Sequence, residues 1–311
     1  MTKRGLEGSG REVVIYSGGG SPERETSLAS GRVATCALKG LGYTVHSLEL
    51  DGNARAALAA ATRYAHLQSI ILLHGGLGED GSFQAVLETQ GTPFSGSRTA
   101  PSAFAMNKHV AKCIFRAGGL LTPNWRYFSD VGELQDVTLE YSAPTCVKAV
   151  GMGSSYGIFP IHSQGDVSSA IHELKSGPVI LEDWVSGRIV TVGIADLPMG
   201  TKVLSPVEII PTKSSYYDQS AKYYGDKYYG YLDDLDDGVV IQLKEAALSA
   251  HRLLGLSGLS RADFILDNGK IFVLEINTIP GLGEKGNFVT AAQRDGHTIE
   301  NVAEWLVQSI R

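Results

Sequence analysis

Cysteine is scarce in this chain: Cys36, Cys113 and Cys146 are the only three among 311 residues. Three thiols cannot all pair, and none stands at a metal-binding interval from another. A complete disulfide pairing is therefore impossible, and buried free thiols in a reducing cytosol are expected. Basic charge is not in excess either. Lys and Arg total 27 against 33 Asp and Glu, a net charge of -6, which argues against a general nucleic-acid or anionic-membrane surface and leaves room only for a local basic pocket. No apolar run approaches the length needed to span a bilayer. Residues 1–11 are polar and glycine-rich, without the apolar core of a secretory leader, and read as a frayed tail. No Gly-Lys-Ser or Gly-Lys-Thr is present, so there is no Walker-type phosphate loop. Residues 17–20 lack the third glycine of a dinucleotide fingerprint.

What is present is ample apolar and glycine content: 43% hydrophobic residues, 19% charged and 37 glycines. The apolar share is enough for a real core in two or three domains or one large one. The glycines imply many tight turns or close approaches of backbone to a ligand. The first third alternates strand and helix patterns: a strand at 13–16, a helix opening at Ser21-Pro22 and running to about Gly40, a strand at 43–50, a helix at 54–63, a strand at 69–73 and a short helix at 82–90. This is an open α/β layout, in which ligands gather beyond the carboxyl ends of the strands. The glycine loops 18–20 and 74–76 lie at such ends. A second unit begins near Ala103, with one helix over 105–117, strands at 145–150 and 179–185, and a Gly/Ser loop at 151–157 between them. Strands follow at 189–195 and 203–210. A tyrosine-rich stretch, 212–237, has no periodicity and is too long for a plain connection. A helix at 239–254 leads to strands at 259–266 and 271–278, joined at Asn268-Gly269, a strong hairpin signal, and two helical patterns close the chain.

The hairpin carries the most chemistry. Arg261 and Asp263 are two apart on one strand, Glu275 and Asn277 two apart on the next, and period two puts each pair on one face. Counting back from the turn brings Asp263 within about one residue of Glu275. Facing carboxylates repel unless a cation lies between them, and hard oxygen ligands suit magnesium on nucleotide phosphates. The alternative is a solvated face whose charges pair with Arg261; the metal site is favoured. The Ile-Pro-Gly-Leu-Gly turn after Asn277 adds backbone N–H groups nearby. Lys148, ending a strand before the 151–157 loop, could supply charge to a phosphate that the loop covers; a plain surface turn explains the loop equally well. Lys108 on the preceding helix and His74 in its glycine turn are weaker signals, since such residues are more often solvated or structural.

Taken in order, these segments resemble one family across nearly the whole chain. Gly18-Gly19-Gly20-Ser21-Pro22-Glu23-Arg24-Glu25-Thr26-Ser27-Leu28 resembles the opening motif of the D-alanine–D-alanine ligases. So do 74–81 with Gln84, Lys148 with 153–157, Tyr217-Asp218 with Ala221-Lys222-Tyr223, 261–264 and 275–281. The resemblance implies an α/β and α+β chain: a three-domain ATP-grasp fold with ATP between the central and C-terminal domains. The units would be 1–102, a substrate domain, 103–188, the central ATP-grasp subdomain, and 189–311, the C-terminal ATP-grasp subdomain with the metal site. It implies an ATP-dependent carboxylate–amine ligase working through an acyl phosphate, with Mg2+ or Mn2+, small amino-acid substrates, no nucleic-acid or membrane partner, a homodimer and a cytoplasmic location.

By the same resemblance, Glu23 would hold the amino end of the first amino acid through Ser154 and Tyr223, and His74 would sit at the substrate site. Lys108, Lys148, Ser155 and Lys222 would hold nucleotide phosphates; Glu182, Trp184 and Val185 would border adenine. Asp263, Glu275 and Asn277 would bind the metal. Arg261 and the N–H of Gly281 would stabilise the acyl phosphate and the tetrahedral oxyanion. The loop 151–157 and the stretch 212–237 would cover the reacting centre. Three departures stand out. Ile189 replaces the glutamate that binds ribose in the family, and Ala149 replaces a proline after the strand lysine. The run Leu282-Gly283-Glu284-Lys285-Gly286-Asn287 replaces one that reaches a Ser-Leu pair holding the second carboxylate, so Gly286 and Asn287 stand at the altered substrate end. The expectation is that D-alanine dimerises poorly and that another amine is the acceptor, in a ligase or cyclo-ligase of specialised metabolism. Cell-wall D-alanyl-D-alanine synthesis and a catalytically inactive nucleotide-binding protein are the competing expectations; the complete set Arg261, Asp263, Glu275 and Asn277 argues against the last.

Overall fold

The computed structural model describes residues 12–137, 144–153, 157–212, 227–283 and 286–311. A three-stranded parallel sheet opens the chain: β1 (Glu12–Gly18), β2 (Thr44–Leu50) and β3 (Gln68–Ile71), in the order β2-β1-β3. Val13, Val14, Ile15 and Tyr16 are all fully buried, as expected of a parallel strand covered on both faces. Helices α1 (Arg24–Gly40), α2 (Ala54–Arg63) and α3 (Ser82–Thr89) connect and flank it. Helix α2 is capped by the Asn53 side chain, which accepts from the N–H groups of Arg55 and Ala56. Ser21 does not cap α1 as expected. Its hydroxyl donates to the His74 carbonyl at 2.5 Å, so residues 21–23 form a turn that ties two glycine loops together, and the helix starts at Arg24.

The single helix expected over 105–117 is two helices, α4 (Thr99–Met106) and α5 (Lys108–Ala117). Asn107 between them is extended, with ψ 99°, and its side chain accepts from the Val110 N–H, so it ends one helix and caps the next. A four-stranded antiparallel sheet follows, in the order β4-β7-β5-β6: β4 (Trp125–Phe128), β5 (Thr145–Ala149), β6 (Ile158–Ile161) and β7 (Val179–Asp183), with α6 (Gln164–Leu174) against it. The third sheet is antiparallel and six-stranded, β11-β10-β8-β12-β13 with β9 on β8. Its strands are β8 (Arg188–Leu197), β9 (Gly200–Val203), β10 (Val207–Pro211), β11 (Lys227–Tyr231), β12 (Gly258–Asp267) and β13 (Lys270–Asn277). The expected strand over 203–210 is thus split into β9 and β10, and β11 lies within the stretch expected to lack regular structure; residues 213–226 of that stretch lie outside the described residues. Helix α7 (Asp237–Leu253) packs on one face of this sheet through Leu243, Ala247 and Ala250.

Two closing helices, α8 (Asn287–Arg294) and α9 (Ile299–Gln308), return to the beginning of the chain. Val302, Ala303, Trp305 and Leu306 of α9 join the core formed by β1, β3 and α1, as do Phe288 and Val289 of α8. Among the described residues, no helix is long and apolar enough to cross a membrane. The cysteines are free, but only Cys146 is buried; Cys36 and Cys113 lie at the surface, because each sits on a solvent-facing side of its helix.

Candidate active site

The turn of the β12–β13 hairpin is the expected one: Asn268 and Gly269 both have positive φ, 46° and 78°, as a two-residue turn matching strand twist requires. A regular register from Asp267 opposite Lys270 would set Asp263 against Leu274 and turn Glu275 toward the opposite face. A bulge intervenes. Phe264 pairs with Val273, but Asp263 pairs with Glu275 and Arg261 with Asn277, leaving Leu274 as the extra residue. The bulge thus brings both carboxylates to one face and presents Leu274 beside them. Asp263 is gripped by Arg261 through two charge-assisted bonds of 2.9 and 2.7 Å and by the Thr191 hydroxyl at 2.7 Å. Glu275 lies 3.3 Å from the Lys108 ammonium, and the Asn277 side-chain oxygen accepts from the Ile279 N–H at 2.9 Å.

This face forms one wall of a cleft of about 850 Å³, whose other wall is the four-stranded sheet. Its charged end holds Lys108, Lys148, Glu182, Asp263 and Glu275; Trp184, Val185, Ile189 and Ile265 line the rest. Register explains the charged end. Cys146 pairs with Glu182 across β5 and β7, and Lys148 is two residues on, so all three share a face. The Glu182 carboxylate is clamped between two lysines: Lys148 donates to one oxygen, and Lys112 lies 2.7 Å from the other while donating to the Thr122 hydroxyl at 2.6 Å. Burial alone would lower Lys148, but Glu182 beside it holds its ammonium well above the ordinary value. Burial likewise opposes ionisation of Glu182, and the two lysines overcome it, so its carboxyl stays below the usual range. Lys112 is fully buried, and burial pulls it down to about 8 against the pull of Glu182. Burial raises the Cys146 thiol to about 11, so it is no nucleophile at neutral pH.

A smaller pocket of about 400 Å³ adjoins the charged end, shares Lys108 and Glu275 with it, and is itself lined by Asn277. Two buried carboxylates, Glu23 and Glu79, border it, together with Gly153. A Cβ at Gly75 or Gly153 would lie 2.9 Å from a Glu23 carboxylate oxygen, so glycine at both positions lets backbone close around that group. Glu79 is fixed by the Gly75 N–H at 2.7 Å. His74 is buried, with Nε2 3.0 Å from the Ser30 hydroxyl; that hydroxyl also accepts from the Leu282 N–H at 3.0 Å, which sets the Gly281 turn beside the histidine. Beyond it, Asn287 at the start of α8 accepts from the Lys227 ammonium at 3.1 Å and the Tyr229 hydroxyl at 2.8 Å. Gly286 has no space for a side chain, since a Cβ would lie 2.8 Å from the Gly281 carbonyl oxygen and 2.9 Å from that of Gly283.

Glu23, Lys108, Lys148, Glu182, Trp184, Val185, Asp263, Glu275 and Asn277 therefore line two adjoining cavities, while Arg261 is bonded to Asp263, and His74 and Gly281 lie beside one another. Ser154, Ser155, Lys222, Tyr223 and Lys285 lie outside the described residues. Sequence reasoning missed Lys112, Glu79 and Lys227. Lys112 was recoverable: it stands four residues after Lys108 on the face that carries Ala111 and Phe115. Glu79 lies within the 74–81 motif but was given no role there, and Lys227 gave no local signal.

Three sheets, with acidic strand residues facing lysines across a deep cleft, are the arrangement that the resemblance to the ATP-grasp ligases implies. A sequence profile described as D-ala D-ala ligase C-terminus matches residues 117–308. The D-alanine–D-alanine ligase of Anaeromyxobacter sp. (strain K) is 37% identical over 280 residues, 88% of each chain. That of Aquifex aeolicus (strain VF5) is 36% identical over 95% of this chain and 99% of its own. The solved D-alanine–D-alanine ligase from Bacillus anthracis complexed with ATP superposes with a TM-score of 0.80 over 96% of this chain and 97% of its own, at 22% identity. The chain belongs to the D-alanine–D-alanine ligase family.

Proposed function

We propose that this enzyme joins two D-alanines in an ATP-dependent reaction serving peptidoglycan synthesis. In the first step a carboxylate oxygen of one D-alanine attacks the γ-phosphorus of ATP, giving an acyl phosphate and ADP. In the second the amine of the other attacks the acyl carbon, phosphate leaves and the amine loses a proton. The register of Asp263 against Glu275, opposite Lys108 and Lys148 and beside a pocket bordered by two buried carboxylates, carries this reading. Asp263, Glu275 and Asn277 offer the oxygen set that suits Mg2+, and their present cationic neighbours Arg261 and Lys108 mark a face that needs positive charge. When bound, Mg2+ would supply charge neutralisation at the transferring phosphoryl group.

Lys108 and Lys148 orient the phosphates in this proposal, and Trp184 and Val185 border the base. Glu23 and Glu79 attract the first ammonium group. The Gly281 N–H and Arg261 face the developing oxyanion. The division into units 1–102, 103–188 and 189–311 is supported by the three separate sheets, although α9 of the last unit packs into the core of the first, and the family resemblance implies a cytoplasmic homodimer.

A second reading keeps the chemistry and changes the acceptor. It is favoured by Gly286, whose packing admits no serine. Against it, the Lys227 ammonium, 3.1 Å from the Asn287 side-chain oxygen, offers a cation to a second carboxylate, so we assign that carboxylate to Arg261 and Lys227. Release of ADP across D- and L-amino acids, with product masses, decides. D-alanyl-D-alanine as the main product upholds the first reading; a mixed or cyclic product overturns it in favour of the second; no ADP release with any amino acid removes both.

A further inference from the structure

The cleft has a layered wall that follows from strand register. On β12, Asp263 and Ile265 share a face, separated along the strand by roughly 7 Å. On β8, Thr191 faces Asp263 and Ile189 faces Ile265. One step from the acidic layer toward the adenine end is therefore an isoleucine pair, and both members line the cleft. With the phosphates of a nucleotide at the acidic layer and its base beside Trp184 and Val185, as proposed above, the Ile189–Ile265 layer is the part of the wall that would meet the sugar.

Neither isoleucine can hydrogen-bond a hydroxyl, and among the described residues the carboxylates around the cleft are engaged elsewhere: Asp183 accepts from the Asn124 amide at 3.1 Å, and Glu275 lies 3.3 Å from the Lys108 ammonium. Glu182 is clamped by Lys112 and Lys148, and Asp263 by Arg261 and Thr191. Glu208, on the neighbouring strand, pairs with Val190 and so lies on the opposite face, where Arg188 binds it at 2.9 and 2.6 Å. A site built around a hydroxyl rejects the analogue lacking it by about 10⁴–10⁵, because buried partners are then left unpaired; an apolar wall creates no such penalty.

We propose that Ile189 makes this cleft indifferent to the sugar 2′-hydroxyl, so that the enzyme takes 2′-deoxy-ATP about as well as ATP. This rests on the proposed nucleotide role of the cleft. Calorimetric titration of the full chain with each nucleotide, in magnesium and without amino acid, tests it independently of the acceptor. Dissociation constants within about tenfold of each other support the assignment; a preference for ATP beyond about tenfold overturns it. Ile189→Glu should move the ratio at least about tenfold toward ATP, and an unchanged ratio in a variant with native circular dichroism overturns it. Should that variant fail to fold, the wild-type ratio decides alone. Failure of both nucleotides to bind overturns the inference and the nucleotide role together, whereas binding without ADP release in the amino-acid screen rejects only the ligase reading.

Discussion

Replacing Glu275 by glutamine keeps its shape and removes one negative charge from the acidic face. If that charge holds a metal-bound nucleotide, ADP release should fall by roughly 10²–10³, while thermal unfolding changes little because the side chain is partly exposed. Unchanged turnover with normal magnesium dependence rules out the metal assignment. Lys112 poses a different question, since it touches neither expected phosphate nor substrate. It shares Glu182 with Lys148, so Lys112→Met leaves a buried carboxylate one partner short. A loss of about 3 kcal/mol in urea unfolding is expected, with weaker ATP binding because Lys148 is then held more tightly by Glu182; wild-type values for both would sink this account. At this scale the sequence was informative where residues recur at a fixed period. Arg261, Asp263, Glu275 and Asn277 were legible as a face, and only their final register was not, because a bulge at Leu274 leaves no mark in composition. Glu79 was visible only as part of the 74–81 motif, without a role, and Lys227 not at all, since what brings them to the site is tertiary.

Helix α7 and strand β12 meet at a buried histidine. His251 Nδ1 lies 2.8 Å from the Ser260 hydroxyl, and burial, outweighing the nearby Asp196 carboxylate, brings its pKa down to about 4. The unfolded chain takes up the proton near 6.5 while the folded chain does not, so the unfolded state binds more protons between about pH 6.5 and 4, and stability falls as pH drops through that window. The difference corresponds to about 3 kcal/mol at most. Urea midpoints at pH 7 and pH 4.5 should therefore differ more for the wild type than for His251→Gln; equal differences in both proteins would refute the assignment. Element boundaries followed the sequence where caps or turns are strong, as at Asn53 and at Asn268-Gly269. They departed from it where a polar residue does two jobs. Asn107 splits one helical pattern into α4 and α5, and Ser21 spends its hydroxyl on the His74 carbonyl instead of a helix end.

Across the whole molecule, the last helix belongs to the first core. Trp305→Ala should remove a buried side chain shared by α9 and the parallel sheet, at a cost of about 3–5 kcal/mol. Because that core also takes in Leu259 and Ala195 of the third sheet and Phe288 of α8, far-ultraviolet circular dichroism and the fluorescence of the remaining Trp125 and Trp184 should report one coincident transition; two separated transitions would show that the sheets unfold independently. The alternation of strand and helix made the first sheet readable, and motif order made the family readable. Nothing local announced that residues 299–308 complete the opening unit, because such a pairing is visible only once the chain has returned on itself.

That return has a consequence during synthesis. At roughly 10 residues per second, the ribosome finishes β3 about 20 s before it delivers α9, so the parallel sheet leaves the tunnel with part of its apolar surface uncovered. A nascent chain stalled after α3 should be captured by chaperones and cut readily by protease, and protection should arrive only when the closing helices emerge.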